Sequence, residues 1–167
     1  MIPTMKYLLL LAIVLNLNAE EQLKNELELN VFGLSYHSNR NYNFNEVNPG
    51  LGLGIVFNNV EATDNGYHMS MVVSAGEYKD SYNATAYYFL AGPRLTLGHE
   101  NDFHATAEFG VGLLHGSGNK SSAVVPVVSV GYDRFNLCVT GEIGNTTNEH
   151  EASKMIALFL RVKLLDF

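Results

Sequence analysis

Apolar side chains recur at every second position through most of this chain. Leu27, Leu29 and Val31 alternate with Glu28 and Asn30, and Leu51, Leu53, Ile55 and Phe57 alternate with Gly50, Gly52 and Gly54. The same period returns at Met69–Ala75, against His68, Ser70 and Ser74. It is longest at Phe103–Leu113, where Phe103, Ala105, Ala107, Phe109, Val111 and Leu113 oppose His104, Thr106, Glu108, Gly110 and Gly112. Phe135, Leu137, Val139 and Ile143 form a further run, and Ile156–Leu164 closes the chain opposite Arg161 and Lys163. A period of two is the mark of strands with two different faces. Residues 84–97 and 123–132 are apolar on both faces but rich in β-branched and aromatic residues, which also predicts strands.

The pattern therefore predicts eight strands of about 9–14 residues, the length at which a tilted strand crosses a bilayer. Short connections are expected at residues 58–65, 98–102 and 132–134, and longer polar loops at 37–48, 77–83, 114–122 and 145–152. Short turns at one end and longer loops at the other predict an all-β fold: an eight-stranded antiparallel up-and-down barrel of the outer-membrane type. Phe167 fits the terminal aromatic of such barrels, while Leu164-Leu165 interrupts the alternation just before it. Alternation also suits a soluble eight-stranded barrel or sandwich that binds an apolar ligand. His104, Glu108, Glu142, Arg161 and Lys163 on the opposing faces favour the membrane barrel, with an inside that is polar near one end.

Residues 1–19 read as a signal peptide: Lys6, an apolar run from Tyr7 to Leu15, then Ala19 before Glu20-Glu21. That leaves residues 20–167 as a single barrel domain, placed in the outer membrane of a Gram-negative cell. The net charge is −7, and loss of Lys6 makes it −8 (−7 minus one positive charge), so nothing points to nucleic acid. Cys138 is the sole cysteine, which excludes an internal disulfide and a cysteine-based zinc site. No metal site and no cofactor is expected, and the barrel is expected to be a monomer.

The chemistry lies in the loops. Topology brings the four longer loops to one rim: His37, Ser38 and Arg40 from the first, Asp80 and Ser81 from the second, His115 and Lys120 from the third, His150 from the fourth. A hydroxyl, an imidazole and a carboxylate are the parts of acyl transfer. The dipeptide Asp80-Ser81 is equally ordinary turn chemistry, since both side chains bond local backbone.

Several of these stretches resemble one family. YKDSYN at residues 78–83, the upstream His37 in LSYHSNR, FNEVNPGLGLG at 44–54 and PVVSVGY at 126–132 are similar, in order, to the bacterial outer-membrane lipid A palmitoyltransferases. The likeness runs over roughly residues 30–167. It implies that His37, Asp80 and Ser81 are catalytic and that a fatty acyl chain passes from a phospholipid donor to a lipid A acceptor. It further implies that the acyl chain sits inside the upper barrel, whose depth sets its length. Arg40, Tyr82, Gly52, Gly54, Gly110 and Gly112 are then candidate substrate-binding positions, the glycines as thin inner walls or as relief of barrel curvature. Pro49 and Pro126 mark places where a lipid could enter sideways, or strand starts where no hydrogen bond is lost. Family features differ here in three ways: the chain has no Trp, only residues 20–25 precede the first strand where the family has an amphipathic helix, and the segment after Asn83 departs from the family's.

Three other readings compete. One is a non-catalytic barrel of the same fold acting as a surface or resistance protein. Another is a lipid A deacylase, for which His150 and Ser153 are spaced too far apart. The third is the soluble barrel named above.

Overall fold

The computed structural model describes residues 24–38, 43–58, 66–99, 102–116, 119–141 and 155–167. The expected signal peptide and the positions Arg40, His150 and Ser153 lie outside the described residues. Eight antiparallel strands form a closed barrel in chain order: β1 (Glu26–His37), β2 (Val47–Asn58), β3 (Tyr67–Lys79), β4 (Thr85–Gly98), β5 (Phe103–Gly116), β6 (Asn119–Tyr132), β7 (Phe135–Gly141) and β8 (Met155–Asp166). β1 pairs with β8, so the sheet has no free side edge.

The alternation has the expected period, and it is turned inside out. Leu51, Leu53, Phe89, Leu113 and Val130 all expose half or more of their surface on the outside. Many inward positions are polar or small, and Glu28, Asn30, Arg94, Glu108 and Arg161 are buried there with a few larger side chains such as Tyr88 and Phe159. Water would not tolerate such an exterior over the whole belt, whereas hydrocarbon requires it. Closure also pairs the strand backbone, which a bilayer core demands. The chain is an outer-membrane-type transmembrane barrel, and its place is the outer membrane.

Inside, side chains fill the lumen in tiers. Arg94 (β4) binds Glu28 (β1) through both terminal nitrogens at 2.8 Å, and its Nε donates to Glu108 (β5) at 3.0 Å. Arg161 (β8) lies 3.1 Å from Glu108 and 3.4 Å from Glu28, and its Nε donates to Asn30 at 3.1 Å. Two cations and two anions thus neutralise each other away from water. Toward the loops the next tier is aromatic: the Phe32 ring lies 5.2–5.4 Å from those of Tyr78, Tyr88 and Phe159. Toward the turns, His104 Nε2 lies 2.8 Å from Asn136 Oδ1, and Thr106 Oγ1 lies 2.7 Å from Ser129 Oγ.

Three expectations change. The run 114–122 is not a long loop, because β5 continues to Gly116 and β6 starts at Asn119. Polar residues there extend a hairpin beyond the apolar belt, and a polar strand reads like a loop in sequence. The separation between β2 and β3, Asn58 to Tyr67, is correspondingly the wider one at the other end. Leu164-Leu165 does not end β8, since a register shift at Leu27/Glu28 absorbs the extra residue and pairing continues to Asp166.

Arg94→Met leaves Glu28 and Glu108 with Arg161 alone in place of two shared cations, and is expected to lose about 3–5 kcal/mol of stability. Urea unfolding in lipid vesicles, followed by the heat-dependent gel shift, measures this. A midpoint equal to that of the unaltered protein would mean that the ionic tier does not hold the barrel together.

Candidate functional site

A parity change in β1 sets up the loop end. From Glu26 to Phe32 the even-numbered residues face inward, but beyond Gly33 the odd-numbered ones do: Ser35 and His37 are buried while Leu34 and Tyr36 are exposed. The cause is a bulge. Against β8, Phe32 pairs with Phe159 and Leu34 with Leu158, so Gly33 is an extra residue. Without it His37 would point into lipid.

On the other side of the rim, residues 80–84 form a tight turn. The Asn83 amide donates to the Asp80 carbonyl at 3.0 Å and the Asp80 amide to the Ala84 carbonyl at 2.9 Å. Asn83 takes φ 62°, a left-handed conformation that asparagine accepts more readily than most residues. Asp80 Oδ1 accepts from the amides of Tyr82 and Ala84, both at 2.9 Å. Its carboxylate therefore shapes the turn that presents Ser81. The segment before β2 ties this turn to β1: the Asn45 amide donates to the Ser81 carbonyl at 2.7 Å, and Asn45 Nδ2 to the Asp80 carbonyl at 3.3 Å. Asn48 Nδ2 donates to the Lys79 carbonyl at 2.9 Å. None of these asparagine roles is visible in a motif. The signal was only their density around the turn.

These constraints put Ser81 Oγ 2.7 Å from His37 Nε2, across 44 residues of chain. With Nε2 unprotonated, the hydroxyl donates to the imidazole, the arrangement that raises oxygen nucleophilicity or relays a proton. Phe44 stacks on the imidazole at 4.3 Å and 26°, covering one ring face. Phe44 also meets Tyr82 edge-to-face at 5.6 Å. His37, Phe44 and Tyr82 thus form a ladder of rings from a buried imidazole to an exposed phenol.

The remaining candidates divide. Gly52 gives up its side-chain space to the Tyr88 hydroxyl, which a Cβ there would strike. Gly54 faces the Glu28 carboxylate, Gly110 faces Leu90, and Gly112 allows β4 to approach β5 closely at Phe89 and Leu90. These glycines do thin the inner wall, and neighbouring side chains or strands take up the room. His115 projects outward from β5, beside the Tyr87 ring at 6.5 Å, so it does not join His37 inside the rim. Lys120 lies opposite His115 in the β5–β6 ladder. Pro49 lies within an irregular stretch of the β1–β2 ladder, where the partners jump from Phe32↔Gly50 to Leu34↔Val47. Pro126 stands just above the last described β6–β7 pair, Val127↔Thr140, and its carbonyl accepts from Thr140 Oγ1 at 2.8 Å. Pro49 marks a ladder irregularity, whereas Pro126 is regularly paired with Phe109 of β5. At the turn end, a polar cavity of about 20 Å³ lies among Glu26, Glu28, Arg94, His104 and Lys163. Among the described residues, no three His, Cys, Asp or Glu side chains are grouped to hold a metal ion.

No family model matches the sequence, and no characterised protein sequence does. Solved structures similar in fold include two of the Yersinia pestis attachment invasion locus protein Ail. Its crystal structure aligns with TM-score 0.48 and 10% identity, covering 85% of this chain and 97% of that one. Its backbone structure in a phospholipid bilayer nanodisc aligns with TM-score 0.43 and 7% identity, covering 84% and 100%.

Asp80→Ala is expected to speed hydrogen exchange at the Tyr82 and Ala84 amides about tenfold, the loss of roughly one hydrogen bond. Asp80→Asn keeps the acceptor oxygen and is expected to exchange like the unaltered protein. Equal exchange in both variants would show that the carboxylate does not cap the turn.

Proposed function

We propose that the barrel is a membrane acyltransferase, working at its loop end on two outer-leaflet lipids. The single observation that carries this is the 2.7 Å contact between Ser81 and His37, held by the Asn45 and Asp80 bonds rather than by sequence proximity. The resemblance of YKDSYN and LSYHSNR to lipid A palmitoyltransferases supplies the reaction class. The donor is a phospholipid and the acceptor a hydroxyl of lipid A.

The exchange needs no oxidant and no cofactor. The donor's acyl C–O bond breaks, an ester forms to the acceptor oxygen, and the acceptor's proton ends on the departing lysophospholipid oxygen. His37, bonded to Ser81, is the group that takes and returns that proton. Asp80 acts through the turn. A donor chain hung from this point would run down the lumen past Ala86, Ala123 and Ala157 toward the tier of Phe32, Tyr88 and Phe159. The ladder irregularity at Pro49 supplies a sideways route for a lipid that cannot cross water.

A second reading is favoured by one observation. Ala86 and Ala123 are buried against their neighbours (2% and 7% exposed), so an acyl chain must spread this tier to enter. A barrel that never opens there is a non-catalytic surface protein of the same fold.

Lipid A mass spectra separate the two. Expression in a Gram-negative host is expected to add one fatty acyl mass to lipid A. Ser81→Ala and His37→Ala are expected to lower this about 100-fold or more, with the heat-dependent gel shift retained. Unchanged lipid A with the folded wild-type barrel in the membrane would support the non-catalytic reading.

A further inference from the structure

Tyr82, a candidate substrate-binding position at the rim, takes no part in the proton transfer between Ser81 and His37. Its surface is 71% exposed, one residue from Ser81. It is not part of the outward aromatic belt: Tyr36 and Tyr87 project from strand exteriors, whereas Tyr82 sits in the turn between β3 and β4. A ring placed only to anchor the barrel in lipid would belong on a strand face. Nor is it loosely held. Its amide is bonded to Asp80, its neighbour's carbonyl to Asn45, and its ring meets the edge or face of Phe44. The turn therefore presents the ring at the rim with Phe44 against it before any ligand arrives, which lowers the entropic cost of binding.

What surrounds it narrows the ligand. Asn83, next in the chain, and Asn43, next to Phe44, are both exposed and offer neutral amides that donate and accept. An exposed aromatic face flanked by amides suits a sugar ring: the C–H face of a pyranose packs on the aromatic plane, and hydroxyls take the amides. An acyl chain would want the apolar face without the amides.

We infer that Tyr82 is a stacking platform for a sugar ring of the acceptor glycolipid, so that a hydroxyl of that ring is delivered to the His37–Ser81 pair below. This rests on the acyl-transfer reading for its purpose. The recognition itself is a separate property of the turn. Phe44, between Tyr82 and His37, fixes the spacing from platform to base.

The test uses the full-length barrel in phospholipid nanodiscs or mixed micelles. Transfer to lipid A is measured against acceptor concentration, and donor hydrolysis to water is measured without acceptor. Tyr82→Ala is expected to raise the apparent KM for lipid A about tenfold, the scale of one aromatic contact, and by more than it changes donor hydrolysis. Tyr82→Trp is expected to restore the KM, and Tyr82→Leu is not. An unchanged KM in Tyr82→Ala, or rescue by leucine, would overturn the platform. In Ser81→Ala protein, lipid A added without donor is expected to shift the Tyr82 ring resonances. If the wild-type barrel transfers nothing while those shifts occur, the acyl-transfer reading falls and the sugar platform stands; if lipid A leaves the resonances unmoved, the platform falls.

Discussion

Four charges buried in the middle of the lumen govern this structure. Glu28, Arg94, Glu108 and Arg161 come from β1, β4, β5 and β8; Arg94 and Glu108 meet across one hairpin, but the Arg94–Glu28 and Arg161–Glu108 pairs require the barrel to have closed. A buried ion leaves water at a cost of several kcal/mol, returned only if the geometry is good and the remaining polar atoms are bonded. The bidentate Arg94–Glu28 pair and the Asn30 bond meet much of that demand. They also fix the relative rotation of the strands, and with it which residues share each tier above.

The aromatic tier rests on the ionic one. Asn30 lies between them, bonded to Arg161 on one side and within 3.4 Å of the Tyr88 hydroxyl on the other. Tyr88 can occupy mid-lumen because Gly52 leaves room for its hydroxyl, and Phe32 packs on Tyr88 and Phe159 together. The loop end is thus carried on a filled and rigid lower barrel. That is the support a pair of side chains 44 residues apart needs to stay within hydrogen-bonding distance.

Much of this was legible in the chain. Period-two alternation yields eight strands, and strand counting brings His37, Asp80 and Ser81 to one end. Even the outward direction of His115 follows from parity, since it continues the odd-numbered series Phe103 to Leu113. Other features were not legible. Arg94 sits in a run that is apolar on both faces, and no local pattern says it will meet Glu28, 66 residues away. The hairpin at 116–119 looked like a loop because strands that leave the membrane lose their apolar side. The clamps by Asn45 and Asn48 depend on backbone carbonyls, which carry no sequence signature.

By itself the sequence determined the period, the strand number and the chemical types at the loop end, because alternation and turn residues are local properties. The tertiary structure decided which way those residues face. Gly33 adds one residue to β1 against β8, and that single insertion reverses parity and turns His37 from the bilayer to the lumen. A bulge is a relation between two strands, here 124 positions apart at Leu34 and Leu158 (158 − 34), and only their pairing defines it.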